Sequence, residues 1–340
     1  MTSITKIANS QISRSTARIQ TASFNQGLFL AEADANLNNE DFYAVSDPDG
    51  VLAITGMTTT SPAYLAAAAY FSGSVRAETL IIGQNLAGDA NHGASVARIK
   101  AAGASFYYVG AETRVFAEQE TISTYAGAQV MEYFPVSVLA ADLVAANTSS
   151  AETVNSDRSM FFYETPAAIT YNEMRAMGKF CAAKVGSWTA ASQLLSGAVD
   201  TKLTDTQYDD ALANRMNFFA NFGGNVVLQD GQTSSGEWLD VIVNLDYVDA
   251  RLEEAIALLK ISRDKIGYDD DGIALEENAI RGVLGAAVDL GIFTSYTLTS
   301  KTAAQVGAQV RGTRRYTDFN WTAQLNGAIQ YTSIEGNVGA

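Results

Sequence analysis

The sequence predicts an α/β fold, α+β in places, with mixed sheets flanked by helices in two domains and extended N- and C-terminal arms. Three observations predict it. Short apolar runs alternate with helix-forming segments from residue 24 to 185, which favours a sheet covered by helices over an all-β or all-α fold. Two long amphipathic helical patterns occupy residues 234–290. The ends of the chain are too polar or too thin to bury a core alone. A length of 340 residues suits about two domains. At 47% hydrophobic and 17% charged residues, the composition is that of a packed chain, not a disordered one.

Residues 1–20 carry Lys6, Arg14 and Arg18 and no acidic residue, so they read as a basic arm. Phe24 to Leu30 suggests a first strand, and Asp47-Pro48-Asp49-Gly50 a turn. Ser61 as N-cap and Pro62 at the first helical position open a helix that runs to Phe71. Leu80 to Ile82 is a buried strand, Ala94 to Ala102 a helix, Phe106 to Val109 a strand, Val115 to Gln129 a helix and Tyr133 to Leu139 a strand. A polar stretch from Asn147 to Asp157 precedes a strand at Met160 to Tyr163 and a helix near Tyr171 to Val185.

Thr204 with Gln207 forms a capping box, after which Tyr208, Leu212, Met216 and Phe219 keep helical spacing up to Gly223-Gly224. Val226 to Leu228 is a short strand and Asp230-Gly231 a turn. Ser234 with Glu237 suggests a second capping box, opening a long helix with Trp238, Val241, Leu245, Val248, Leu252, Ile256 and Leu259 on one stripe. A helix from about Leu275 to Leu290 turns Ile280, Val283, Leu284 and Ala287 inward and ends at Gly291. Finally Phe319, Trp321, Ala323 and Leu325 alternate with polar residues, as in a strand; the register changes near Ser333, and Asn326-Gly327 offers a hairpin turn.

The charge and motif inventory narrows the function. With 37 acidic and 22 basic residues the chain is −15, which repels a phosphate backbone and argues against a nucleic-acid partner. No run of about 18 apolar residues occurs, so no membrane insertion is expected. The lone Cys181 permits no internal disulfide; it reads as a buried small hydrophobe in a protein of a reducing cytosol. His92, the only histidine, sits in Asp89-Ala-Asn-His-Gly and reads as a solvated loop residue without a catalytic partner. Asp269-Asp270-Asp271-Gly272 fails the calcium-loop pattern and reads as an acidic lead into a helix. Neither Gly178-Lys179 nor the paired glycines complete a phosphate or dinucleotide fingerprint. No enzyme, cofactor or metal is expected.

Charge is unevenly placed. Residues 237–277 hold twelve acidic and four basic residues, more than half of the whole excess. Asp246, Asp249 and Glu253 fall on one ridge of the long helix. Residues 301–319 run the other way, with Lys301, Arg311, Arg314 and Arg315 against Asp318. Either these are ordinary solvated faces, or a basic segment of one copy lies against the acidic ridge of another.

The stretches Ser61-Pro-Ala-Tyr-Leu-Ala-Ala-Ala-Ala-Tyr-Phe, Thr79-Leu-Ile-Ile-Gly and Ser105-Phe-Tyr-Tyr-Val, with Ser235-Gly-Glu-Trp-Leu-Asp-Val-Ile, Leu245-Asp-Tyr, Lys265-Ile-Gly-Tyr-Asp-Asp-Asp-Gly-Ile, Leu325-Asn-Gly-Ala-Ile-Gln and Ile334-Glu-Gly, together resemble the contractile tail sheath subunits of myovirus-type bacteriophages, in their compact form. The likeness runs in order through most of the chain. It departs at Gln330, where histidine is common, and at Tyr247, where tryptophan is usual. The resemblance implies a virion protein assembled in the host bacterial cytoplasm. It would polymerise with itself as stacked hexameric rings around a tail tube, contact tube, baseplate and tail terminator proteins, and contract from a metastable extended state to drive the tube through the host envelope.

It also implies a division into an arm at 1–22, an outer domain at 23–200, an inner, tube-facing domain at 201–318 and a C-terminal strand and arm at 319–340. The expected interface residues are Ile4, Ile7, Ile12, Arg14, Arg18, Ile329, Tyr331, Ile334 and Val338 in the arms, which would extend the sheets of adjacent copies by main-chain hydrogen bonds. Arg311, Arg314 and Arg315 would contact either the tube or, by charge, the ridge of Asp246, Asp249 and Glu253 on an adjacent copy. Two other classes fit the same absences: another self-assembling viral or surface-lattice protein, and a small-molecule α/β enzyme, which would need a polar pocket.

Overall fold

A computed structural model of the protein describes residues 23–37, 40–166 and 169–330. The fold is mixed α/β, and its centre is a five-stranded sheet in the order β2-β3-β1-β4-β5. Strands β1 (Gly27–Ala31), β3 (Leu80–Gln84), β4 (Tyr108–Ala111) and β5 (Glu132–Phe134) run parallel, and β2 (Tyr43–Val45) is an antiparallel edge. Short helix α1 (Asp49–Leu52) follows β2. Parallel strands buried on both faces read as continuous apolar runs, which is why Leu28-Phe29-Leu30 and Leu80-Ile81-Ile82 stand out in the sequence.

The period of two sorts these strands between two cores. Phe29, Leu80, Ile82, Tyr108 and Phe134 face helices α2 (Pro62–Tyr70) and α6 (Asn172–Ala182), where Met174, Met177 and Phe180 complete the packing. Leu28, Leu30, Ile81, Val109 and Tyr133 face α3 (His92–Ala101) and α4 (Phe116–Gly127). The result is a helix-sheet-helix sandwich. The backbones come close at Gly178 of α6, where an added Cβ would lie 1.9 Å from the Tyr70 carbonyl oxygen of α2.

Around this sandwich lie α5 (Ser150–Val154), the parallel pair β6 (Val136–Ser137) and β7 (Phe162–Tyr163), α7 (Asp205–Ala213), and the hairpin of β8 (Phe218–Phe222) and β9 (Asn225–Gln229). The main core continues through them, because Phe219, Leu228, Leu239 and Val243 join the cluster around Phe29 and Phe134. Helix α8 (Leu239–Ile261) starts in that core and ends in another. Its Val248, Leu252 and Ile256 pack with Ile280 and Leu284 of α9 (Asp270–Asp289), with Phe293 and Leu298 of β10 (Phe293–Thr299), and with Phe319 and Ala323. Short helices α10 (Ala303–Val306) and α11 (Ala308–Gly312) lead to β11 (Asn320–Leu325), which pairs antiparallel with β10.

Several expectations need correction. The helix capped by Thr204 and Gln207 has its capping box but stops at Ala213, and Met216 and Phe218 turn into a separate core as the chain enters a strand. Gly223 and Gly224, both at positive φ, are the hairpin turn of β8 and β9, where left-handed backbone is required. Ser234 caps nothing: its hydroxyl and the Ser156 main chain exchange two hydrogen bonds, and α8 begins five residues later behind Trp238. The buried face of α8 is therefore Leu239, Val243 and Val248 in place of Val241 and Leu245; Leu245 is exposed. Tyr133 to Leu139 divides at Pro135 into β5 and β6, since proline cannot donate to a ladder. The polar stretch at 147–157 contains α5, with a Ser149/Glu152 capping box that the sequence reading overlooked.

Asp47 to Gly50 runs into the first turn of α1. Asn326 makes no hairpin turn; its main-chain N–H donates to the Ile292 carbonyl and its side chain to the Gly291 carbonyl. The register change expected near Ser333 lies outside the described residues. His92 is not a solvated loop residue: it is the first residue of α3, buried at 6% exposure and faced by carboxylates. Cys181 is buried against Tyr70, and burial pushes its thiol up to about 12, so it is inert as a nucleophile. Asp269 serves as N-cap of α9, its carboxylate accepting the Gly272 N–H at 2.8 Å.

Candidate functional site: open sheet edges and placed charge

β10 and β11 form a sheet of two strands only. Among the described residues the outer edge of each has no strand beside it, so two rows of main-chain donors and acceptors are free for pairing. One face of this ribbon lies on α9. The residues of β11 that alternate in the sequence, Trp321 and Leu325, are only partly covered, at 38% and 42% exposure. Beside them an open apolar groove of about 520 Å³ is lined by Leu252, Ile256, Ala257, Ile280, Phe319 and Trp321, with Glu253 and Lys260 at its rim. A lone strand pair is marginal without a third strand or a helix to pack on, and this ribbon has only the helix.

Of the expected arm residues, Ile4, Ile7, Ile12, Arg14, Arg18, Tyr331, Ile334 and Val338 lie outside the described residues. Ile329 is described and is 88% exposed, an isoleucine with no cover in the single chain. The strand part of the expected C-terminal arm is spent at home, on β10, which leaves any linking of copies on that side to the residues after Leu325.

The charged residues divide differently from the sequence pattern. Asp249 and Glu253 are exposed on α8. Asp246 is not part of an exposed ridge: it accepts two hydrogen bonds from the Arg158 guanidinium, at 2.9 Å from Nη2 and closer from Nη1, and one of 2.6 Å from the Tyr107 hydroxyl. Glu132, fully buried, stands 3.4 Å from the same guanidinium. Burial drives the Glu132 pKa far above the ordinary carboxylate range, partly opposed by Arg158 and reinforced by Asp246. Burial works against the Arg158 charge, but the hydrogen bonds and field of Asp246 and the charge of Glu132 more than offset it, raising its pKa. This cluster fastens α8 to the main sheet, and no spacing pattern announces it because Arg158 and Asp246 are 88 residues apart.

A second buried cluster sits at the start of α6. Arg114 pairs with Glu173 at 3.0 Å and with Glu164 at 3.8 Å. Burial pushes the Glu173 carboxyl up to about 7, with Arg114 pulling the other way and Glu164 adding to the rise. Both clusters are structural in position, joining elements of the fold to one another.

On the basic side, Arg311 is half-buried, whereas Arg314 and Arg315 are exposed and make no ion pair among the described residues. The loop that carries them is held by the Tyr268 hydroxyl, which donates to the Arg315 carbonyl at 3.0 Å, and by Lys301 with Asp318 at 2.5 Å. Lys301 is thereby neutralised locally. The described residues thus offer two acidic and two basic side chains, Asp249 and Glu253 against Arg314 and Arg315, on the body built from the end of α8, α9, β10 and β11. No helix among the described residues is long and apolar enough to cross a membrane.

No family profile matches the sequence, and no curated protein matches it. Solved structures do match the fold. One is the helical sheath of the anti-feeding prophage in its contracted state, at a TM-score of 0.71 and 11% identity, covering 93% of this chain and 94% of that one. Another is the sheath of an extracellular contractile injection system, also contracted, at 0.70 and 10%, covering 93% and 92%. A third is a sheath tail protein from Desulfitobacterium hafniense, at 0.60 and 10%, covering 83% and 91%. At these identities the likeness is one of fold, and it extends over nearly the whole of each chain.

Proposed function

We propose that this chain is the structural subunit of a contractile tail sheath of the bacteriophage type. Copies stack as hexameric rings around a tail tube and shorten from a metastable extended state, driving the tube through a host envelope. The observation that supports the reading most is the two-stranded β10–β11 sheet with both outer edges unpaired among the described residues, in a chain whose fold matches that of a sheath protein over 93% of its length. A strand supplied by another copy adds a ladder of hydrogen bonds and covers Trp321 and the apolar groove. Such contacts are heterologous and propagate as a helix without closing.

In this reading residues 1–22 and the end of the 319–340 segment link copies, residues 23–200 lie outside and residues 201–318 face the tube. Baseplate and terminator proteins bind the two ends of the array. Contraction exchanges domain faces while the linking strands persist, as a switch between two packings of nearly rigid bodies. The energy is stored at assembly, so the reading assigns no catalytic residue and no cofactor. It places the protein in a virion or related tail particle built in the bacterial cytoplasm.

Electron microscopy of the purified full chain tests it, beside chains lacking Met1 to Gln20 or Tyr331 to Ala340. Tubes from the full chain and folded, unassembled monomers from both truncations are expected. Tubes from either truncation count against strand exchange, and shells or planar lattices from the full chain point to a different self-assembling protein.

A further inference from the structure

The parallel strands of the main sheet run β3-β1-β4-β5 in space, so the chain leaves β1, adds β3 on one side and then crosses to add β4 on the other. The segments after β1 and β4 therefore diverge at the carboxyl ends of the strands, the usual ligand position in open α/β sheets. Each of the three central strands is followed there by one metal-binding side chain. Glu32 follows the last residue of β1, His92 is the first residue of the helix after β3, and Glu118 lies in the first turn of the helix after β4.

Their donor atoms converge. His92 Nε2 is 3.1 Å and 3.2 Å from the two Glu32 carboxylate oxygens and 3.8 Å from Glu118 Oε2, and the three ligand atoms lie within 4.8 Å of one another. Donors about 2.0–2.2 Å from a shared cation stand roughly 3.0–3.5 Å apart, so only small rotations of the two carboxylates close the site. Those carboxylates are part-exposed, at 41% and 39%, while the imidazole is held at 8%.

The surroundings are those of an outer shell. The Thr113 hydroxyl donates to Glu118 Oε2 and Glu112 accepts the Glu32 main-chain N–H at 2.9 Å, whereas the Asn85 side-chain amide, 3.3 Å from His92 Nε2, stands on the coordinating nitrogen itself and turns aside when the cation binds. In the adjoining strand the Tyr133 hydroxyl is fully buried without a hydrogen-bond partner, within the field of Glu118 and Glu32.

We infer that Glu32, His92 and Glu118 form a binding site for a first-row divalent cation of the Zn²⁺ class, with one imidazole and two carboxylates as ligands and water completing the shell. The ion ties the end of β1 to the starts of α3 and α4, and so stiffens the sheet body without taking part in any reaction. This inference is independent of the sheath reading.

The experiment uses the full chain after dialysis against a chelator, titrated with Zn²⁺ by calorimetry and with Co²⁺ by NMR. His92 is the only histidine, so its ring signals report the site alone. One equivalent of Zn²⁺ bound with a dissociation constant of about 10 μM or tighter is expected. Co²⁺ should broaden the ring signals, and a saturating excess of Zn²⁺ should raise the melting temperature by about 4 °C. Glu118→Gln, at a part-exposed position that folding tolerates, should weaken binding at least about tenfold and remove the thermal shift. Unperturbed ring signals under excess Co²⁺, or wild-type affinity in Glu118→Gln, would overturn the inference.

Discussion

Replacing Asp246 by alanine separates a surface role from a structural one. On the sequence, Asp246 belongs to an acidic ridge with Asp249 and Glu253; in the fold its carboxylate is the shared acceptor of Arg158 and the Tyr107 hydroxyl. Truncation removes three hydrogen bonds and leaves the half-buried guanidinium and a buried phenol without that acceptor. Breaking a buried ion pair costs about 3–5 kcal/mol, and an orphaned buried hydroxyl about 1–3 kcal/mol. Glu132, 3.4 Å from Arg158 and relieved of the nearby Asp246 charge, recovers part of this. The net loss should be about 3 kcal/mol. Urea unfolding followed by tryptophan fluorescence measures it, with exposed Asp249→Ala as the control, expected within about 0.5 kcal/mol of wild type. Asp246→Asn, which keeps an acceptor for Tyr107, should fall between the two. An Asp246→Ala protein as stable as the control, yet unable to assemble, would refute the reasoning and restore Asp246 to the surface.

The buried Glu173 gives a pH dependence. Its folded pKa is raised from 4.5 to about 7, so its contribution to stability is fully present below the unfolded value and is lost as pH rises through about 7. Unfolding midpoints should therefore decline over that window in wild type and decline less in Glu173→Gln; parallel curves would contradict this. Gly178→Ala should cost about 3 kcal/mol, because the new methyl meets the Tyr70 carbonyl of a helix that cannot yield, whereas Gly282→Ala, with nothing within 4 Å, should add about 0.5–1 kcal/mol. Differential scanning calorimetry tests both, and equal effects would show that α2 and α6 are not in close contact. Arg314→Glu with Arg315→Glu should raise the protein concentration needed for assembly severalfold, by about 1 kcal/mol in contact energy, and reversal of Asp249 and Glu253 should recover part of it. Light scattering at low and high salt reads this out, and unchanged assembly in the first variant removes the charge contact.

The elements legible in the sequence are those whose signal is local. Leu80-Ile81-Ile82, the helix start at Ser61-Pro62 and the Thr204/Gln207 box fall where period, proline and capping chemistry put them, because each rests on residues within one turn or one strand, although the Ser61 side chain makes no capping hydrogen bond. The face of α8 was not legible. Its first turns pack on the main core and its last on a second one, so no single stripe describes the helix, and Asp246 is drawn inward by an arginine distant in sequence. His92 misled for the same reason: its neighbours Glu32 and Glu118 come from the loop after β1 and from α4, and the sequence shows only the polar loop before it. The two-stranded end sheet was half legible, since the alternation of residues 319–325 announces β11 but not that β10 of the same chain is its partner.

The most direct measurement is a cryo-EM map of the assembled protein at a resolution that traces main chain. The account predicts a strand from another copy hydrogen-bonded along the free edge of β10 or β11. A map in which both edges face solvent, or are covered by the terminal segments of their own chain, would contradict it.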